Sequence, residues 1–150
     1  MRMRARAAAV LAALAVSVTP AVALSAPAAN AGGYGCSGNL VDTYSVKSKW
    51  NTLSHVYLYY NAKTGYNCAV NVKTKYYSQF KHKISIHMYN STWAEDNNRP
   101  GVNTDYDGGK FLKWAGPVKV KGKGLCVSIV ADTYYYDEHG HAYLPHKHCR

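Results

Sequence analysis

The sequence is short of acidic residues, of phenylalanine and of closely spaced cysteines. It contains 8 aspartates and glutamates against 18 lysines and arginines, which gives a formal net charge of +10. A chain this basic is expected to attract anionic partners. Sequence-specific binding of nucleic acid is not expected. Beyond the N-terminal segment only Arg99 and Arg150 carry guanidinium groups, and no known nucleic-acid-binding motif occurs.

The motifs of the common hydrolases are also missing. Neither G-x-S-x-G nor H-E-x-x-H occurs. A ribonuclease would need a carboxylate base, a histidine acid and a cationic clamp, and the only nearby set is Glu95, His87 and Arg99. The sequence therefore favours a non-enzymatic protein without a cofactor. A small secreted, ribonuclease-like hydrolase is the enzymatic alternative.

Long apolar runs are absent except at the N-terminus. There Arg2, Arg4 and Arg6 precede a run of alanine, valine and leucine that is too short to span a bilayer. Ala29-Asn30-Ala31 has the form of a cleavage site. We expect residues 1–31 to be a signal peptide. Residues 32–150 would then form a single secreted β domain, a monomer without a transmembrane segment, whose formal charge is +7 once the three arginines are removed.

The cysteines number four and none is in a C-x-x-C pair: Cys36, Cys68, Cys126 and Cys149. An even number in an exported chain predicts two disulfides. The pairing Cys36–Cys68 with Cys126–Cys149 is the most economical, because Cys126 and Cys149 are placed symmetrically about a turn expected at Asp137-Glu138. The pairing Cys36–Cys149 with Cys68–Cys126 stays open.

Alternating apolar residues predict strands, and no helical periodicity occurs after the N-terminal segment. Seven or eight short strands predict an all-β fold, either an antiparallel β-sandwich or a small barrel. The clearest hairpin turns at residues 61–65, and its core side is expected to hold Val56, Leu58, Cys68, Val70 and Val72. Residues 83–90 are expected to form a strand with Ile84, Ile86 and Met88 pointing inward. We expect residues 91–109 to be irregular and a further strand pair to turn at Gly116-Pro117.

Several segments are similar to those of one family. They are GCSG at 35–38, VYLYYN at 56–61, TGYNCAV at 64–70, DGG at 107–109, AGPV at 115–118 and GLCV at 124–127. On these segments the chain resembles the small secreted actinobacterial proteins called spore-associated protein A. The resemblance implies an exported, disulfide-bonded β protein of the spore or cell surface. It implies no established activity and no catalytic residues.

Lysines and aromatic residues alternate in two regions, which predicts a surface for polyanions. The candidate residues are Lys73, Lys75, Tyr76, Tyr77, Lys81, Lys83, Lys119 and Lys121, with Lys110, Lys113 and Lys123 in the same later cluster. The expected partner is an anionic polymer of the cell envelope or spore surface. The alternative is a set of lysines that only solubilises the protein and protects sheet edges.

The C-terminal region is rich in histidine. His139, His141, His146 and His148 form two H-x-H pairs, and a hairpin turning near Tyr143-Leu144 would bring them together around Zn²⁺ or Cu²⁺. That hairpin competes with the turn expected at Asp137-Glu138.

Other functions that stay open are a metal-binding module and an inhibitor or toxin-like partner binder.

Overall fold

The computed structural model describes residues 32–93 and 99–149. The expected signal peptide, Glu95 and Arg150 lie outside the described residues. Eight strands and one 3₁₀ turn make up the described fold. They are β1 (Asn39–Lys47), β2 (Thr52–Asn61), β3 (Tyr66–Lys73), the 3₁₀ turn (Tyr77–Gln79), β4 (His82–Asn90), β5 (Thr104–Phe111), β6 (Trp114–Lys121), β7 (Val127–Tyr135) and β8 (Glu138–Lys147).

The strands form one antiparallel sheet in the order β5-β4-β7-β8-β1-β2-β3-β6. Its two edge strands, β5 and β6, are consecutive in the chain and are joined by Leu112 and Lys113. The sheet therefore curls until its edges meet, and the fold is a nearly closed, barrel-like sheet. This confirms the predicted all-β class. Of the two predicted architectures, sandwich and barrel, the structure has the barrel.

Carboxylates bridge the seam between β5 and β6. Asp107 Oδ2 accepts a hydrogen bond from the backbone N–H of Gly116 at 2.6 Å, and Asp105 Oδ2 accepts one from Lys119 at 2.8 Å. Each of these bonds satisfies a main-chain donor that a neighbouring strand would otherwise pair. Two of the few acidic residues are thus used to close the sheet.

The interior is filled by aliphatic side chains from most of the strands. Ile84, Ile86 and Met88 are completely buried, as predicted, and so are Val56 and Leu58 from the first hairpin. Side chains of alternate residues point to opposite faces of a strand, so the inward-facing residues of these strands form this core.

The prediction for the inner face of β3 was wrong. Val56 is paired with Asn71 and Leu58 with Ala69, so the asparagine and alanine side of β3 faces the interior. Cys68 and Val70 lie on the outer face in a second buried cluster, with Val72 partly buried against it. That outer face is apolar because the N-terminal residues pack on it, and the members of this second cluster include Cys36, Tyr57 and Tyr59.

A predicted irregular segment and a predicted turn also differ from the structure. Asp105–Gly109 belongs to strand β5, and the turn expected at Gly116-Pro117 lies at Leu112-Lys113 instead. Strand β6 passes through Gly116 with a φ of 107°, a conformation suited to glycine, and a register shift between Ala69 and Asn71 of β3 accommodates the irregularity.

Strand β8 is continuous through Tyr143 and Leu144, so the hairpin that was expected to unite the four histidines is absent from the described fold. The turn between β7 and β8 consists of Tyr136 and Asp137, close to the position expected for the disulfide pairing.

The two disulfides are Cys36–Cys68 and Cys126–Cys149, and no free cysteine remains. This confirms the predicted number and the more economical pairing. The first disulfide fixes the N-terminal segment on β3. The second joins the residues that flank β7 and β8.

The two ends of the sheet differ in the loops that they carry. The basic end carries loops 48–51, 74–81, 112–113 and 136–137, and the disulfide end carries the opposite loops and both bridges. Among the described residues no helix has the length and apolar character needed to cross a membrane.

Candidate functional site

A groove of about 360 Å³ opens at the basic end. We call it the basic groove. The residues that line it are Lys81, Lys110, Phe111, Leu112, Lys113 and Trp114. Lys81 directly precedes β4, and the other residues run from the end of β5 through the turn into β6. The β5–β6 turn therefore supplies most of the groove, and the start of β4 supplies its remaining lysine.

Positive charge is concentrated beside the groove. Lys83 on β4 and Lys110 on β5 are direct cross-strand partners, and both side chains are exposed. Like charges at opposed positions destabilise a sheet. No lysine of residues 32–93 and 99–149 forms an ion pair with a carboxylate of those residues. Within the described part of the chain these lysines have no carboxylate partner, so their charge can attract an external anion.

Most of the described carboxylates form hydrogen bonds in other parts of the fold, which explains why these lysines have no carboxylate partner. Asp105 and Asp107 bridge the seam, and Glu138 accepts hydrogen bonds from Ser48 Oγ at 2.7 Å and from the Asn51 side chain at 3.1 Å. These groups hold strands and loops together. They do not neutralise the lysines of the basic groove.

Exposed aromatic and apolar side chains surround the same end of the sheet. Those from its four loops and the start of β6 are Trp50 at 72% exposure, Tyr136 at 74%, Tyr76 at 56%, Leu112 at 40% and Trp114 at 37%. Lys49 Nζ lies 4.4 Å from the centre of the Trp50 ring. The basic end thus combines cationic groups with rings that can stack on a ligand.

The predicted polyanion-binding residues fall into three groups. Lys75, Tyr76, Lys81 and Lys83 are exposed near the basic end. Lys119 and Lys121 are exposed on β6, but Lys119 is five residues beyond Trp114, about 16 Å along the strand. Lys73 and Tyr77 are buried, with exposures of 4% and 8%.

The buried ammonium group of Lys73 is hydrogen-bonded to backbone oxygens of the protein itself. It donates to the backbone oxygens of Phe80 at 2.9 Å, His82 at 3.2 Å and Phe111 at 2.8 Å. Burial lowers the pKa of this lysine. The side chain ties the start of β4 to the end of β5 from inside the sheet and does not reach the polyanion surface.

A second cluster lies on the outer face of β7 and β8. Asp132 is the cross-strand partner of His141, and His139 lies two residues away on the same face. Asp132 Oδ1 is 2.7 Å from His139 Nε2 and 2.9 Å from His141 Nδ1. We call these three residues the histidine–aspartate cluster.

Electrostatics and packing both order this cluster. Burial raises the pKa of Asp132, but hydrogen bonds with His141 and His139 outweigh that effect, so the pKa lies below its ordinary value. The ring of Tyr134 stacks on His139 with centroids 4.3 Å apart and planes inclined by only 4°. The carboxylate is thus held ionised between two positioned imidazoles.

The other two predicted metal ligands lie elsewhere. His146 occupies a bulged stretch of β8, where its backbone N–H donates to Ser128 Oγ at 3.2 Å. His148 lies at the disulfide end, with its Nδ1 3.0 Å from the Asn67 side chain and its ring 4.6 Å from that of Tyr60. The structure therefore replaces the predicted four-histidine site with two histidines and an aspartate.

The hydrolase alternative gains no support from the described residues. His87 Nε2 lies 2.7 Å from Thr104 Oγ1, and burial lowers the pKa of this histidine. Glu95, the carboxylate of that set, lies outside the described residues.

Comparison of the chain with protein-family models, with curated proteins and with solved structures finds no match.

Proposed function

We propose that this chain is an exported protein of the spore or cell surface, related to spore-associated protein A, which attaches to an anionic envelope polymer. The observation that carries the proposal is the unneutralised lysine surface around the basic groove: Lys81, Lys83, Lys110 and Lys113. Such a polymer carries repeated phosphate or carboxylate groups, so several lysines can be engaged by one chain.

The groove supplies two kinds of contact. The ammonium groups attract the anions of the polymer, and Phe111, Leu112 and Trp114 offer an apolar wall for the carbon face of a sugar or polyol unit. Single contacts between exposed charges are weak and are screened by salt. Attachment therefore depends on several contacts acting together, which suits a repetitive ligand.

Export is supported by the cysteine chemistry. Both disulfides are formed and no cysteine is free, as is usual for proteins of oxidising compartments. The expected signal peptide at residues 1–31 supports the same location.

Co-sedimentation with purified anionic cell-wall polymer tests the proposal. We expect binding by the wild-type protein to fall steeply as salt is raised. Replacing the groove lysines with glutamine (K81Q/K110Q/K113Q) should weaken binding about tenfold or more. That corresponds to about 1.4 kcal/mol in total, about 0.5 kcal/mol for each lysine.

A matched variant separates the groove from net charge. The triple variant K63Q/K119Q/K123Q removes the same charge from exposed lysines away from the basic end. We expect its affinity to change less than about twofold. Equal losses in both variants, or binding that salt does not weaken, would disprove the assignment of the groove.

A further inference from the structure

We infer that Asp132, His139 and His141 form a binding site for one divalent transition-metal ion, Zn²⁺ or Cu²⁺. Each residue offers one ligand atom, and these atoms all lie within 4.8 Å of one another. The site lies on strands β7 and β8, on the far side of β4 from the basic groove. Lys83 Nζ lies 5.2 Å from the ring of Tyr134, which stacks on His139, so the two surfaces are neighbours. The metal titration is done without polymer, and its outcome does not depend on polymer attachment.

Rotation of the side chains would place the three ligand atoms around such an ion. Ligand atoms placed tetrahedrally at 2.0–2.2 Å from zinc stand about 3.4 Å apart. The oxygen–nitrogen distances of 2.7 and 2.9 Å would lengthen by about half an ångström to reach this value. The histidine side chains are 44% and 52% exposed, so a metal ion can reach both from the solvent, while the β7–β8 ladder fixes the backbone.

The donor set determines the class of metal. Two imidazole nitrogens and one carboxylate oxygen suit zinc and copper, whereas calcium and magnesium require a set made of oxygen atoms. Three protein ligands leave at least one coordination position for water or an external anion. The stacked ring of Tyr134 restricts His139 and so reduces the entropy lost when the ion binds.

Isothermal titration of untagged protein with Zn²⁺ and with Cu²⁺ tests the site, with electron paramagnetic resonance of the copper form to detect nitrogen ligands. We expect one saturable site per chain with two nitrogen ligands on copper. The variants H141Q and D132N should each weaken binding by about tenfold or more, since each removes a ligand.

Two other histidines provide matched controls. His146 is an exposed residue of the same strand, and His55 lies on the outer face of β2, so H146Q and H55Q should keep the wild-type affinity. The inference is overturned if wild-type protein shows no saturable binding at millimolar metal. It is also overturned if H146Q or H55Q weakens binding as much as H141Q does.

A measurement on the wild-type protein covers the case in which a variant does not fold. Diethyl pyrocarbonate modifies exposed imidazoles, and mass spectrometry locates the products. Bound metal should protect His139 and His141 while His55 and His146 stay reactive. Uniform protection, or none, would show that the ion is not held by this cluster.

Discussion

Lys73 illustrates at the residue scale how a charged side chain can stabilise the fold without serving a ligand. It is 4% exposed and donates to three main-chain oxygens. Substitution K73M keeps the length of the side chain but leaves those oxygens without their donor. Each unsatisfied buried group costs about 1–3 kcal/mol, partly offset because no ammonium has to be buried. We expect a net loss of about 2–4 kcal/mol in the free energy of unfolding, measured with denaturant.

The exposed neighbour Lys75 is the control for this prediction. K75M should change the free energy of unfolding by less than about 0.5 kcal/mol. If K73M were as stable as the wild type, the three carbonyl groups would have to be satisfied in another way and the tie between β4 and β5 would be dispensable.

Sequence patterns could not identify Lys73 as buried. It alternates with Asn67, Ala69 and Asn71, a mostly polar series of the kind that normally faces water. Inside the sheet the side chain of Asn71 donates to the backbone oxygens of Ser85 and Asp132, at 3.0 and 3.2 Å. The amide N–H groups of Asn71 thus find main-chain partners on other strands, and those partners are set by tertiary structure.

The carboxylate-bridged seam permits a prediction at the scale of the strand pair. D107A removes the acceptor of the Gly116 N–H, so it should lower the free energy of unfolding by about 1–3 kcal/mol and speed amide hydrogen exchange at Gly116. D107N keeps an acceptor oxygen and should lose less. D137A, in the exposed β7–β8 turn, is the control. Unchanged exchange at Gly116 in D107A would show that the bond does not hold the seam.

The histidine–aspartate cluster depends on the register of one hairpin. The turn was expected at Asp137-Glu138, which would place Tyr143 opposite Asp132. The actual turn is one residue earlier, so His141 takes that position. The disulfide at the far end was still predicted correctly, because β8 has an extra residue between Leu144 and Lys147 where its partner strand runs from Val127 to Ile129. Residue-level register therefore decides whether a site can be predicted.

At the scale of the whole molecule, the sequence predicted the fold class, the strand number and both disulfides. The alternation of apolar residues predicts strands, and the number of cysteines predicts disulfides. Neither prediction depends on the exact register of the strands. The lysine surface around the basic groove depends on the pairing of Lys83 with Lys110 and on the position of the β5–β6 turn. That turn was predicted in the wrong place, since the breakers Gly116 and Pro117 lie inside β6. A tertiary arrangement of this kind is not encoded in any local pattern.

The tyrosines give a whole-molecule prediction for alkaline pH. Burial raises the pKa of four of them above the model-peptide value of 10.0: Tyr44, Tyr57, Tyr77 and Tyr89. A hydrogen bond with the Tyr76 hydroxyl raises the pKa of Tyr135 to about 12. The folded protein keeps these protons at a pH where the unfolded chain has lost them. The five tyrosines therefore contribute stability that is complete below pH 10 and is lost as pH rises through the folded-state values.

Lys73 opposes this trend. Its lowered pKa means that the unfolded chain binds the additional proton below pH 10.5, so this residue alone makes stability rise with pH in that window. Denaturant unfolding as a function of pH, combined with the ultraviolet absorbance of tyrosinate, separates the two effects. We expect part of the 14 tyrosines to ionise in the folded protein and the rest only as far-ultraviolet circular dichroism is lost. Ionisation of every tyrosine in one step near pH 10, with the fold intact, would contradict the raised pKa values of these five tyrosines.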